Sequence, residues 1–133
     1  MALNTIRLSM ASMFLMLFSL SQFFFISALC IAADIRDIDE DREDKIKTFP
    51  VAGGLRLSKN IITILLILQL LFLFILFNLS YINTAQLEAF VAISLFCILF
   101  LRQLRPEKGY SYFIIAIDGI IACQALCLFL VKN

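Results

Sequence analysis

The chain lacks histidine and tryptophan, has only two prolines and four glycines, and carries charge on just 16% of its 133 residues. With no imidazole there is no histidine acid–base pair and no His-ligated metal. Four cysteines are present, Cys30, Cys97, Cys123 and Cys127, all inside apolar runs and none in a Cys-x-x-Cys spacing. That placement points to neither a disulfide framework nor a thiolate metal site, and the four are read as small packing residues. The net charge is +1. A nucleic-acid footprint needs a surplus of Lys and Arg gathered on one surface, so nucleic acid is excluded as a partner.

What the chain does have is hydrophobic side chain, 62% of its residues. A soluble domain of this length has too little interior to hide that much apolar surface. The bilayer is therefore the expected solvent. Four apolar runs are long enough to cross a hydrocarbon core about 30 Å thick as helices. They are residues 8–33, 61–79, 85–101 and 110–131. The expected fold is thus all-α, a single membrane domain of residues 1–133 with four spanning helices.

The first run follows Arg7 and closes on small residues, Ser27, Ala28, Ala32 and Ala33, as a secretory signal does. It exceeds the roughly 7 to 15 residues of a signal core and lacks a clean Ala-x-Ala, so it is read as a spanning helix. Orientation follows from the basic residues. Arg36, Arg42, Lys45, Lys47, Arg56 and Lys59 lie between the first two runs, and Arg102, Arg105 and Lys108 between the last two. Only Arg7 and Lys132 fall on the other side. Both basic loops are expected to be cytoplasmic, with both termini opposite. Pro50, Gly53 and Gly54 punctuate the first of these loops, and Ser58 is the expected N-cap of the second spanning helix.

That loop opens with DIRDIDEDREDKIKTFP, residues 34–50. If the helix continues past Ala33, Asp34, Asp37 and Asp41 fall within an arc of roughly 60°. Two readings of three stacked carboxylates stand side by side. One is a solvated, salt-bridged helix end at the membrane surface. The other is a site for a hard divalent cation, which prefers oxygen ligands and often bridges one or two carboxylates to phosphate. A calcium-binding EF-hand loop starting at Asp37 fails, because Arg42 stands where Gly is required and Thr48 where Glu is required. A CDP-alcohol phosphotransferase motif also fails, since Asp118-Gly119 is followed by Ala122-Cys123, with neither the Arg nor a second pair of aspartates.

The pattern Asp34-x-x-Asp37-x-x-x-Asp41-Arg42, followed by Lys47-Thr48-Phe49-Pro50-Val51 and a nearby Gly, resembles the second aspartate-rich motif of the UbiA family of intramembrane prenyltransferases. In that family the motif closes a helix on the cytoplasmic side and precedes a Lys/Arg-Thr-Leu-Pro segment. The resemblance implies a Mg²⁺-dependent enzyme that binds an allylic isoprenoid diphosphate and transfers the isoprenoid to an aromatic, tetrapyrrole or lipid acceptor. It implies Asp37 and Asp41 as magnesium ligands, with Asp34 a third carboxylate of the same site. Arg42, Lys45 and Lys47 would then meet diphosphate oxygens, Arg42 and Lys47 standing where the family often has basic residues. Neutralising the departing diphosphate is what such groups do for this chemistry.

The departures from the family are equally specific. Its members have about nine spanning helices and a first motif, commonly Asn-Asp-x-x-Asp-x-x-x-Asp, which occurs nowhere in this chain. Glu40 and Asp44 stand where Gly is frequent. The match covers this chain but only the C-terminal half of a family member, or a little less, and the bundle is expected to be part of a larger one. The chain is then a fragment of a longer reading frame, one part of a split enzyme that needs an N-terminal half or companion subunit, or an inactive degenerate copy. A different class stays open too: a small non-enzymatic membrane protein or partner subunit whose acidic loop binds cations or protein.

Asp118, in the fourth run, is expensive inside a bilayer unless it pairs, is protonated or lines a wet cavity. It is expected either to face the same cavity as the Asp34 face or to hydrogen-bond Gln124 or a neighbouring helix. Gln69 and Gln22 are expected to bond across helices. Phe23, Phe24 and Phe25 are read as apolar packing, and Tyr110 and Tyr112 as interfacial anchors.

Overall fold

The computed structural model describes the backbone of residues 2–103 and 110–130, and side chains within 7–103 and at 115, 117, 118 and 119–126. Five helices follow one another: α1 (Ala2–Arg36), α2 (Ile38–Glu43), α3 (Phe49–Asn78), α4 (Thr84–Arg102) and α5 (Tyr110–Leu130). No strand occurs among the described residues. Among the described residues three helices are long and apolar enough to cross a bilayer: Arg7–Arg36, Phe49–Asn78 and Thr84–Arg102. In α5 only the shorter apolar stretch Ile117–Leu126 qualifies as described, and Tyr110, Tyr112 and Cys127 have side chains outside the described residues.

The helices pack because each buries a narrow face and leaves the rest to lipid. α1 and α3 share the most extensive interface. On α1 this face is Phe25, Ala28, Leu29, Ala32 and Ile35, all buried, and it meets Ile62 and Leu66 of α3. Ala28 and Ala32, one turn apart and fully buried, let the two backbones come close, which is the main source of helix association where lipid removes the hydrophobic drive. Toward the far end Phe24 packs on Phe72, and Phe14 on Tyr81. Cys97 and Leu101 of α4 and Ile120 of α5 complete the core. The outward faces carry Phe23, Ile26, Ile64, Ile67, Leu71 and Phe74, as lipid contact requires. The expected cross-helix bond of Gln69 is present, since the Ser94 hydroxyl donates to its Oε1 at 3.3 Å. Gln22 has no such bond: its Nε2 is buried without a partner.

Local signals set the ends. α4 begins with a reciprocal capping box in which Asn83 Oδ1 accepts from the Gln86 amide at 2.8 Å and the Asn83 amide donates to Gln86 Oε1 at 3.0 Å. α2 and α3 both end in Schellman turns with a left-handed residue that is not glycine. At α2 the left-handed residue is Lys45 (φ 58), and the Ile46 amide reaches back to the Asp41 carbonyl at 2.8 Å. At α3 it is Ser80 (φ 60), and the Tyr81 amide reaches the Leu76 carbonyl at 3.0 Å.

Ser58 is not the N-cap of the second spanning helix. The N-cap position is held ten residues earlier by Thr48, with Pro50 in the first turn, where its missing N–H costs nothing. Gly54 (φ 79, ψ 162) breaks it, and the Ser58 hydroxyl, now buried, donates to the Gly54 carbonyl at 3.0 Å. From Gly54 onward the helix still rises roughly 36 Å, enough to span.

A left-handed L-residue costs about 1–2 kcal/mol relative to glycine. Ser80→Gly is therefore expected to raise the unfolding free energy by up to about 1 kcal/mol and Ser80→Val to lower it by at least as much, as measured by reversible unfolding in detergent micelles.

Candidate functional site at the acidic end of the first helix

The acidic segment sits where α1 ends and α3 begins. Lys59 Nζ donates to the Arg102 carbonyl at 2.9 Å, so the end of α4 is tied to the same end of the bundle. The residues flanking both basic loops thus gather at one end, while the α3–α4 turn, residues 79–83, with no basic residue, lies at the other.

α1 does not run on as one helix through the motif. Asp37 (φ −94, ψ 8) leaves helical geometry for one residue between α1 and α2. The course nearly continues, because the Asp41 amide still bonds the Asp37 carbonyl at 2.8 Å. Ile38, buried at 5% exposure, pins the short helix to the bundle and turns Asp39 and Glu40 to solvent.

The three motif aspartates differ in their surroundings. Asp34 is half-buried, and burial weighs on its charge more than the neighbouring carboxylates of Asp41 and Asp37 do. Asp37 is claimed by its neighbour: the Arg36 guanidinium grips both carboxylate oxygens, Nε and Nη2 each at 2.5 Å. This bidentate bond holds the Asp37 carboxyl below its ordinary range, with burial opposing and the Arg36 charge assisting. Among the described residues no group of three His, Cys, Asp or Glu side chains is gathered as a metal cage. Arg42, Lys45 and Lys47 are all exposed around the turn that leaves α2.

A family model for the UbiA prenyltransferase family matches residues 2–118. The chain belongs to the UbiA prenyltransferase family. We found no match to it among curated proteins or among solved structures. As a UbiA chain it is a prenyltransferase-type membrane protein.

Asp34 and Asp41 are the carboxylates here that could hold a cation such as Mg²⁺. This ion is commonly held by one or two carboxylates plus substrate phosphates rather than by an all-protein cage. Asp37 shares its carboxylate with the Arg36 guanidinium. Arg36 is the residue that sequence reasoning passed over as a functional group. It precedes Asp37 directly, and the bend at Asp37 brings the two side chains together, a geometry that the helical arc does not suggest.

Asp118 is exposed on α5 and makes no hydrogen bond to another described residue. Gln124 is not its partner: that residue is buried with its Nε2 unpaired. Beside Asp118, α4 and α5 enclose an open apolar groove of about 600 Å³ lined by Ile93, Phe96, Phe100, Ile115, Gly119 and Cys123. Of the described cysteines all are free, Cys97 packed in the core and Cys30 and Cys123 exposed on helix faces.

A depressed carboxyl stabilises the fold above its unfolded-state pKa, and that contribution is lost as pH falls through the folded value. Arg36→Gln is expected to move the Asp37 midpoint upward, followed by carboxyl ¹³C NMR of the labelled protein. An unchanged midpoint would show that the guanidinium is not what sets it.

Proposed function

We propose that this chain supplies the second aspartate-rich half-site of a Mg²⁺-dependent prenyltransferase acting on an allylic isoprenoid diphosphate. The acceptor is an aromatic ring, a tetrapyrrole or a lipid. The observation that carries this reading is the match of the UbiA family model to residues 2–118, in a chain whose Asp34, Asp37 and Asp41 stand at the α1–α2 junction beside the apolar bundle.

In this reading Asp34 and Asp41 hold Mg²⁺, Asp37 joins them when Arg36 releases it, and Arg42, Lys45 and Lys47 take diphosphate oxygens. Bound Mg²⁺ would supply charge neutralisation for the departing diphosphate. The chain's own part is to fix the carboxylates by the buried Ile38 and Ile35 and to keep the isoprenoid among apolar helices. The α4–α5 groove suits such a chain, since its walls are almost wholly hydrocarbon. The motif end faces the cytoplasm, as the basic residues direct, and α5 makes a fourth crossing.

The chain contains no Asn-Asp-x-x-Asp motif, so the remaining carboxylates come from an N-terminal half or a companion subunit. Asp118, on the exposed face of α5, would meet those additional helices and is not part of the diphosphate site. A non-catalytic partner subunit is the second reading, favoured by the Arg36–Asp37 ion pair, which satisfies one acid without metal.

Co-expression with an N-terminal half bearing the first motif should give prenyl transfer that requires Mg²⁺. Asp34→Ala, Asp37→Ala or Asp41→Ala should each lower it by at least about a hundredfold, the scale of losing a group that stabilises developing charge. Full activity in all three variants would leave only the partner-subunit reading.

A further inference from the structure

The charge of the loop is divided along its length. Residues 34–44 carry all seven acids of the segment, whereas residues 45–59 carry Lys45, Lys47, Arg56 and Lys59 and no acid. The basic part also carries large apolar side chains in the open, before the spanning helix and in its first turn after Gly54: Ile46 is 49% exposed, Phe49 41% and Leu57 47%. These are not scattered. Phe49 and Gly53 share one face of the first turn of α3, and Leu57 lies directly over Gly53, its Cδ2 2.9 Å from where a β-carbon would stand. The Gly54 break, in a backbone region open to glycine, lets this short turn leave the axis of the spanning helix. Ile46 is delivered to the same segment by the left-handed turn at Lys45.

Apolar side chains flanked by Lys and Arg, without acids, at the end of a membrane-spanning helix are the elements of an interfacial anchor. We infer that residues 46–57 lie on the bilayer surface as a docking element for anionic phospholipid headgroups, with Ile46, Phe49 and Leu57 entering the headgroup–acyl boundary and Arg56 paired with lipid phosphate. The acidic turn just before it is then held at a fixed height above the membrane. The inference rests only on the chain spanning a bilayer, so a failed prenyl-transfer assay leaves it untouched.

The chain has no tryptophan, so Phe49→Trp creates a single fluorescent reporter. The variant is reconstituted in vesicles of phosphatidylcholine alone, or with phosphatidylglycerol added, each containing lipids brominated near the headgroup end of the acyl chain. The expected result is blue-shifted emission quenched by the brominated lipid, at least about twofold more strongly in the anionic vesicles, with that excess lost on adding Arg56→Gln. A retained far-UV helical signal verifies folding of each variant. Water-like emission without quenching overturns the inference. So does blue-shifted emission that brominated lipid leaves unquenched, because the side chain is then covered by protein. Quenching independent of anionic lipid, or unaltered by Arg56→Gln, overturns the headgroup pairing.

Discussion

The close contact of α1 with α3 through Ala28 and Ala32 is the constraint on which the rest of the structure depends. In a bilayer there is no water to drive apolar faces together, so small residues that admit close backbones must supply association by contact. That contact fixes the height of α1 against α3. It thereby fixes where α1 delivers Asp34 and where α3 can begin. Replacing either alanine by a larger residue would separate the two helices and the two halves of the loop with them.

The loop itself solves a second problem, how to present many charges at the end of an apolar bundle without unwinding it. Ile35 and Ile38 are buried on either side of the bend at Asp37, so the backbone turns while its apolar side stays anchored. Arg36 neutralises one carboxylate, the Schellman turn at Lys45 satisfies the end of α2, and Lys59 ties α3 to the C-terminal end of α4. Asp34 and Asp41 stand beside this anchored turn, the two carboxylates proposed to hold a cation.

Much of this could be read from the residues. Of the four apolar runs read as spanning helices, three coincide with helices long and apolar enough to cross, although α3 begins twelve residues before its run. The acidic spacing marked the motif, and Gln69 in an apolar run marked an interhelical hydrogen bond. The failures have common physical causes. Ser58 looked like a cap because Pro50 and Gly53 read as a break, yet proline is acceptable in a first helical turn and only Gly54 departs from helical geometry. Lys45 and Ser80 occupy left-handed positions that no glycine announced. The uniform arc of Asp34, Asp37 and Asp41 assumed an unbroken helix, whereas the bend gives each acid a different environment.

The central claim, that the carboxylates at the end of α1 hold a divalent cation together with diphosphate, is tested most directly by electron paramagnetic resonance of Mn²⁺ substituted for Mg²⁺. The protein in lipid nanodiscs is given Mn²⁺ and inorganic diphosphate. The account predicts protein-bound Mn²⁺ with ³¹P hyperfine coupling, both lost in the Asp34→Asn, Asp41→Asn double variant. Bound Mn²⁺ unaffected by that double substitution, or no binding by the unaltered chain, would contradict it.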